Sequence, residues 1–519
     1  TAETTARTTV YDPTCGSGSL LLKVGEAAPT KVALYGQEKD VATQGLARMN
    51  MVLHGYATAE IENENTLTTP LFKNGDALQT FDYVVANPPF SDKEWSTGLK
   101  PEEDIYKRFE IGIPPEKNGD YAYLLHILAS LKPTGKGACI LPHGVLFRGN
   151  AEADIRRALI QRGYIKGIIG LPANLFYGTG IPACIIVLDK AHAASRKGIF
   201  MVDASKGFMK DGPKNRLRAR DIHRIVDVFL KQQDVPGFAR MVSHADIAAN
   251  DCNLNLPRYI ESQESEDRQD IEAHLRGGIP VVEVDALNEY WSVCPGLRQS
   301  LFAPIADDRP RYVRLAVGSA HIRATVREHA EFADFTQRMT KHVAVWRAAQ
   351  HPKLAAFAQG HSPTELVTDT ANALLAHYEG QALMDGYAAY QCFMDLWDAV
   401  IQDDCYSISL SGWQPEIVRV VEIVKAGKKK GQEVDKGWVC DLTPKALVVA
   451  RFYAKEQAAL DALCNKLSVK QAERDTLEEE DSEAENPILP LKEGKDANGD
   501  DAGEGKKIVD PAAVKRLIK

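Results

Sequence analysis

The chain has 519 residues, of which 44% are hydrophobic and 26% charged, which is typical of globular proteins with two or three domains. No apolar run reaches membrane-spanning length, and residues 1–7 lack the pattern of a signal peptide. The nine cysteines are scattered without a Cys-x-x-Cys pair, which argues against a disulfide framework or zinc site and favours a cytoplasmic location. The net charge of −9 is uneven: residues 1–260 carry 31 basic and 28 acidic side chains, whereas residues 261–519 carry 31 and 43. If the first half binds a nucleic acid, its basic groups must be concentrated on one face, or partner subunits must supply phosphate contacts.

The first predicted element is a strand from Thr9 that ends in the turn 12–18, Asp-Pro-Thr-Cys-Gly-Ser-Gly. Gly16 and Gly18 let the backbone curl under a ligand, and a helix beginning near Ser19 would point its N-terminal amides at a carboxylate. Asp12 can accept a hydrogen bond from an ammonium group. By itself, a Gly-x-Gly sequence is more typical of a tight strand-to-helix turn.

A second short strand, residues 32–38, ends in an acid about 20 residues after the glycine turn. An acid at this place can bind both ribose hydroxyls of a nucleoside, which makes Glu38 a candidate. The alternative is an exposed helix-capping acid ahead of Asp40. After the helical pattern of residues 41–54, the loop 74–78 supplies another acid, Asp76, although an ordinary Asn-Gly-Asp turn explains it equally well.

The strand Phe81–Ala86 leads into Asn87-Pro88-Pro89-Phe90. The prolines fix the backbone and lack N–H groups, so the loop offers carbonyl acceptors in a rigid arrangement. Two acceptors could grip an exocyclic amino group while Phe90 stacks on the base that carries it. The alternative is a proline-stiffened turn.

With both motifs, in this order and about 70 residues apart, the sequence resembles the S-adenosylmethionine-dependent DNA amino-methyltransferases, and more closely the modification (M) subunits of type I restriction-modification systems. The resemblance implies that S-adenosylmethionine is the cofactor and that the Asn-Pro-Pro-Phe loop holds the target adenine. The residues it implies for the cofactor are Asp12, Pro13, Cys15, Gly16, Ser17, Gly18, Glu38, Asp76 and Ala77. The residues it implies for catalysis are Asn87, Pro88, Pro89 and Phe90.

Residues 91–118 form a polar loop of the kind that can close over an active site. A helix from residue 119 and strands near 136–141, 164–171, 181–188 and 199–202 complete the pattern. We therefore predict an α/β fold with a Rossmann-like, mostly parallel sheet of seven strands and a terminal hairpin, followed by a mainly helical C-terminal region. The resemblance implies that Asp120, Tyr123, Phe176 and Tyr177 line the pocket of the target base.

The predicted domains are a catalytic domain over residues 1–260, a linker over 261–290, a helical domain over 291–478 with a partner-binding helix at 444–470, and an acidic disordered tail over 479–519. A basic run at 206–224 could follow a DNA backbone or form a solvated face, and the sequence does not separate these alternatives. No cluster of His, Cys and Asp indicates a metal site.

The family carries a helical domain ahead of the first strand, and we expect that domain to be missing here. The partners that the resemblance implies are double-stranded DNA, a specificity (S) subunit, a second M subunit and a restriction (R) subunit, with no membrane. The predicted reaction is methyl transfer to the N6 amino group of a flipped-out adenine in duplex DNA. The alternatives are a non-catalytic scaffold subunit, and a methyltransferase acting on RNA adenine, cytosine N4 or a protein glutamine.

Overall fold

The computed structural model describes residues 5, 7–261, 269–305, 309–423, 432–483, 491–493 and 507–509. The chain divides into two compact units. The first consists of Thr1–His351 and Val367–Trp397, and the second of Pro352–Leu366 and Asp398–Lys519.

A nine-stranded sheet forms the centre of the first unit. Its strands are β1 (Thr9–Asp12), β2 (Ala33–Glu38), β3 (Glu60–Asn63), β4 (Phe81–Ala86), β5 (Leu131–Pro142), β6 (Ile165–Gly170), β7 (Ala183–Asp189), β8 (Gly198–Asp203) and β9 (Ala239–Ser243). Across the sheet the order is β9-β8-β6-β7-β5-β4-β1-β2-β3. β7 is antiparallel to β5 and β6, and β9 is antiparallel to β8, while the other neighbours are parallel.

Helices cover both faces of this sheet, which is why its inner strands are almost continuously apolar. Successive residues of a strand point to opposite faces, and accordingly Val10 and Tyr11 belong to different apolar clusters. The cluster of Val10 contains α1 and α2 side chains, whereas the cluster of Tyr11 contains α3 and α4 side chains. The helices are α1 (Ser19–Ala27), α2 (Val41–Leu53), α3 (Asp120–Ala129), α4 (Ala151–Gln161), α5 (Ala219–Lys231) and α6 (His244–Ala249).

The predicted Rossmann-like sheet with its hairpin, β6–β7, is confirmed, but the sheet has nine strands instead of seven. The two strands that the sequence did not reveal, β3 and β9, lie at the two edges of the sheet. Each buries few side chains: Ile61 in β3, and Ala239 and Val242 in β9. The hydrophobic pattern is therefore too weak at both edges to predict a strand.

The remaining described residues are mainly helical, as predicted. The helices are α7 (Ile271–Arg276), α8 (Val281–Asp285), α9 (Asn288–Val293), α10 (Pro295–Leu301), α11 (Ile322–Glu328), α12 (Ala330–Ala355), α13 (Pro363–Tyr378), α14 (Gly386–Leu396), α15 (Gln402–Ser411), α16 (Lys445–Phe452) and α17 (Ala454–Glu483). The small strands are Ile279–Pro280, Phe302–Pro304, Tyr312–Leu315, Ile417–Ile423, Glu433–Cys440, Leu491–Glu493 and Lys507–Val509, with hairpins Lys73–Asn74/Ala77–Leu78 and Met209–Asp211/Lys214–Arg216 in the first unit. Most of the predicted tail, 479–519, lies outside the described residues. Within the described residues, no helix is both long enough and apolar enough to cross a membrane.

Candidate active site at the carboxyl edge of the sheet

The loops that follow β1, β2, β4 and β6 all leave the same edge of the sheet, because these strands are parallel to one another. In open α/β sheets, ligands bind outside this carboxyl edge. Two neighbouring cavities lie there, and the Asn-Pro-Pro-Phe loop borders both of them.

The first cavity, of about 480 Å³, has the size of a small-molecule pocket. Of the predicted site residues, six line it: Pro13, Gly16, Glu38, Asn87, Pro89 and Tyr123. Asp12, Cys15, Ser17 and Gly18 belong to the same glycine turn but do not line the cavity. The turn therefore lines the cavity with Pro13, Thr14 and Gly16.

The glycine turn requires left-handed backbone at both glycines, with φ of 55° at Gly16 and 79° at Gly18. A Cβ on Gly16 would meet no atom within 4 Å, whereas a Cβ on Gly18 would lie 2.6 Å from Cε of Met51 in α2. Gly16 thus leaves open space beside the cavity, and Gly18 allows α1 and α2 to approach closely.

Glu38 lies at the end of β2 and accepts a hydrogen bond from the glycine turn. Its Oε2 accepts from the Gly16 N–H at 3.0 Å, and its Oε1 accepts from the Asp40 N–H at 3.0 Å. Each carboxylate oxygen has a further lone pair, so Glu38 can still accept from two hydroxyls of a ligand in the cavity.

Asp12 is almost fully buried at the end of β1, and its Oδ1 accepts from the Thr14 N–H at 2.9 Å. Burial, with a smaller effect of the neighbouring Glu38 carboxylate, raises the pKa of Asp12 from 3.8 to about 7. A hydrogen bond from the ammonium group of a ligand would stabilise the charged form of this carboxyl.

Asp76 and Ala77 lie away from this cavity, in the exposed hairpin between β3 and β4. From this part of the chain, the residues that line the cavity are Glu64, Asn65 and Thr66, because they follow β3 directly at the carboxyl edge. The assignment of Asp76 and Ala77 to the cofactor stays a prediction. The sequence pattern does not predict a strand ahead of residues 64–66, because β3 contains a single buried apolar residue, Ile61.

The second cavity, of about 700 Å³, is bordered by the Asn-Pro-Pro-Phe loop and by the loop 171–182 that follows β6. Phe90 and Phe176 meet edge to face with ring centroids 5.8 Å apart, and Tyr177 is 94% exposed at the rim. Pro88 also lines this cavity. Asn87 and Pro89 line both cavities, so the loop lies between them.

Tyr123 does not join Phe176 and Tyr177. It lines the first cavity, and its hydroxyl donates to Asp92 Oδ2 at 3.0 Å. The structure therefore separates Tyr123 from Phe176 and Tyr177, which with Asp120 are the four residues that we assigned to the target base.

Asp120, which the resemblance also places at the target base, lines neither of the two cavities. It is fully buried behind the loop, where Oδ1 accepts from the Ser91 N–H at 2.7 Å and Oδ2 pairs with Arg148 at 2.8 Å. Ser91 has a positive φ of 53°, which is unusual for a residue with a side chain. The Gly119 N–H also donates to the Asp92 carbonyl, at 2.9 Å. The start of α3 therefore fixes the chain directly after Phe90.

The first cavity combines the Glu38 carboxylate and the first glycine of the turn with a volume in the range of small-molecule sites. Among the described residues, no group of three or more His, Cys, Asp or Glu side chains is arranged to hold a metal ion.

A sheet of this order, with a glycine turn after β1 and a rigid acceptor loop after β4, defines the class of Rossmann-like methyltransferase domains. The model of the N-6 DNA Methylase family matches residues 1–268, and the chain belongs to that family.

Curated relatives include the type I restriction enzyme MpnII methylase subunit of Mycoplasma pneumoniae, which is 35% identical over 274 residues, or 50% of each chain. The MjaVII methylase subunit of Methanocaldococcus jannaschii is 33% identical over 281 residues, covering 51% of this chain and 48% of that protein. The chain thus spans about half the length of the curated relatives it matches. A type I restriction-modification methyltransferase subunit of Streptococcus thermophilus, known from its crystal structure, is 39% identical and covers 49% of this chain and 54% of that chain, with a TM-score of 0.45.

Proposed function

We propose that this chain transfers the methyl group of S-adenosylmethionine to the N6 amino group of an adenine flipped out of duplex DNA, as the modification subunit of a type I restriction-modification complex. The observation that carries the proposal is that Asn87 and Pro89 line both cavities. The loop is therefore placed where a methyl donor in the first cavity and an amino acceptor in the second would meet.

S-Adenosylmethionine supplies an electrophilic sulfonium methyl group. The glycine turn would hold its methionine part, with Asp12, Pro13, Cys15, Gly16, Ser17 and Gly18 forming that turn. Glu38 would accept from the ribose hydroxyls. Asn65, in place of Asp76 and Ala77, would accept from the exocyclic amine of the cofactor's adenine, since it lines the cavity just beyond β3.

The target adenine would enter the second cavity between the Asn-Pro-Pro-Phe loop and the loop of Phe176 and Tyr177. A base within the duplex cannot present N6 to the cofactor, so it must be extruded at a cost of a few kcal/mol. Phe90 would stack on the flipped base. The side-chain carbonyl of Asn87 and a proline carbonyl would accept from the two amine hydrogens, which turns the nitrogen lone pair towards the methyl group. Most of the rate acceleration would come from this positioning.

The assembly would comprise two copies of the modification subunit and one specificity subunit that selects the DNA site. A restriction subunit would join for cleavage. The curated relatives are named methylase subunits of type I restriction enzymes, which supports the assignment of this chain to such a system.

The first test is calorimetric titration of S-adenosylmethionine into the chain and into the variants Asn87→Ala and Glu38→Ala. We expect binding to persist in Asn87→Ala, because its amide would hold the acceptor amine and not the cofactor. Binding should weaken at least about 10-fold in Glu38→Ala, which would lose a charge-assisted pair of hydrogen bonds.

The second test is transfer of labelled methyl groups to duplex DNA by the chain together with its specificity subunit. Asn87→Ala should lower the rate at least about 100-fold. Transfer to DNA whose adenines are already N6-methylated should be absent. Cofactor binding without transfer to any DNA would contradict the proposal.

A further inference from the structure

A basic segment, residues 206–224, follows β8 at the carboxyl edge of the sheet. It contains seven basic and two acidic side chains. The sequence leaves open whether this segment contacts a nucleic acid or is simply solvated, but the structure adds three observations.

The first observation is its place along the sheet edge. The order β8-β6-β7-β5-β4-β1-β2 puts the glycine turn, the Asn-Pro-Pro-Phe loop, the aromatic loop 171–182 and the basic segment in sequence along one edge. The basic segment thus lies on the side of the aromatic loop that is remote from the glycine turn. A DNA strand with one base in the second cavity must continue past one side of that cavity.

The second observation is that the segment is joined to the aromatic loop. Nζ of Lys214 donates to the carbonyls of Phe176 at 2.7 Å and Thr179 at 3.1 Å. The Asn215 N–H donates to the Asn174 carbonyl at 2.9 Å, and its side-chain amide donates to the Ala173 carbonyl at 2.6 Å. The hairpin of the basic segment and the wall of the second cavity therefore form one hydrogen-bonded assembly.

The third observation concerns which charges face solvent. Arg218 is paired with Asp221 at 2.8 Å, and the ammonium group of Lys214 donates its hydrogen bonds to the aromatic loop. Lys210 and Arg216 remain exposed on the hairpin, and Arg216 approaches Asp211 only at 3.5 Å with both side chains more than 60% exposed. Such an exposed pair is worth little and leaves the arginine able to bind another anion.

A third cavity, of about 330 Å³, continues this basic surface at the start of α5. Arg220 and Arg224 line it together with Lys206, and the acidic groups that face them are Asp203, Asp221 and Asp385.

We propose that the basic segment contacts the phosphates of the DNA strand that flanks the target base, with Lys210 and Arg216 as the phosphate-binding side chains and Lys214 as the positioning residue that ties this contact to the base pocket. The proposal rests on the proposed function, because it takes duplex DNA to be the substrate. It adds the surface that receives the DNA backbone.

The test compares the full chain with the double variant Lys210→Ala/Arg216→Ala. A fluorescein-labelled 20-base-pair duplex is titrated with each protein at salt concentrations from 50 to 200 mM, and the binding constant is read from anisotropy. Each phosphate contact contributes roughly −0.9 to the slope of log K against log salt, so the double variant should have a slope shallower by about 2.

The matched control is Lys23→Ala/Lys231→Ala. It removes the same net charge from two well-exposed lysines of α1 and α5 outside the basic segment. Its slope should equal that of the unaltered chain. Equal slopes for all three proteins would overturn the proposal, and so would failure of the unaltered chain to bind the duplex at 50 mM salt. Duplex binding with the expected slopes but no methyl transfer would support this surface and count against the proposed function alone.

Discussion

At the scale of single residues, Gly16 and Gly18 are glycines for different reasons. Both have positive φ, but only Gly18 faces a neighbouring side chain, Cε of Met51 at 2.6 Å, whereas Gly16 borders the first cavity. One residue therefore allows the close packing of α1 on α2, and the other leaves open space at the first cavity.

We expect Gly18→Ala to lower the free energy of unfolding by roughly 2–3 kcal/mol, since it adds a steric clash to the cost of a left-handed alanine. Gly16→Ala should lower it by only about 1 kcal/mol but weaken S-adenosylmethionine binding at least about 10-fold, because its methyl group would project towards the cavity. Urea unfolding and calorimetry of both variants measure the two effects. Similar effects of both variants on binding and on stability would show that the roles are not divided in this way.

The buried Asp12 predicts a pH dependence of stability. Its folded-state pKa is raised to about 7 from an ordinary 3.8, so its contribution to stability is fully present below about pH 4 and is lost as the pH rises through 7. Asp12→Asn keeps an acceptor for the Thr14 N–H but cannot ionise. Between pH 4 and pH 8, the stability of the variant relative to the unaltered chain should therefore improve by roughly 2–4 kcal/mol. Urea unfolding at several pH values checks this, and a difference that stays constant with pH would show that burial of Asp12 does not perturb its ionisation.

At the scale of elements, the acceptor loop depends on α3. Asp120, at the first position of this helix, holds the Ser91 N–H directly after the Asn-Pro-Pro-Phe loop, and Arg148 balances its charge. Arg148 also contacts Glu152 of α4 at 3.2 Å. A prolyl turn that is rigid in itself is thus oriented by elements that follow it in the chain.

We expect Asp120→Ala to destabilise the fold by roughly 1–3 kcal/mol, because the Ser91 N–H loses its acceptor while Arg148 keeps Glu152 as a partner. Asp120→Asn retains an acceptor for Ser91 and should fold. In this variant the Asn-Pro-Pro-Phe loop should be held less firmly. The rate of methyl transfer should therefore fall at least about 10-fold, while the affinity for S-adenosylmethionine stays within about 2-fold. If the Asn variant loses cofactor affinity and transfer in equal measure, Asp120 supports the whole site and not the loop in particular.

At the scale of the whole molecule, the cysteines give a probe of both compact units. All nine are free, and only Cys392 and Cys464 are exposed, while Cys252 is half-buried. Burial raises the pKa of the thiols of Cys15, Cys139 and Cys184. These thiols are both shielded and poorly ionised, so they should react slowly.

Titration of the native protein with a thiol reagent should therefore show two fast thiols and a slower third, with the other six reacting only after unfolding in denaturant. The variant Cys392→Ser/Cys464→Ser should lose the fast phase without a change in stability. Four or more fast thiols in the unaltered chain would contradict the burial of these residues.

The sequence by itself determined the fold class and the residues of the glycine turn and the acceptor loop. These features are local: apolar runs specify the inner strands, and glycines and prolines fix the turns at their ends. Only the tertiary structure decided that Asn87 and Pro89 line two cavities, and that Asn65 lines the first of them while Asp76 does not. It also decided that Tyr123 lies apart from Phe176 and that Asp120 is bonded to the chain directly after the loop. These features depend on the order of strands across the sheet and on contacts between residues far apart in the chain, and the edge strands that complete the sheet bury too few side chains to be recognised in the sequence.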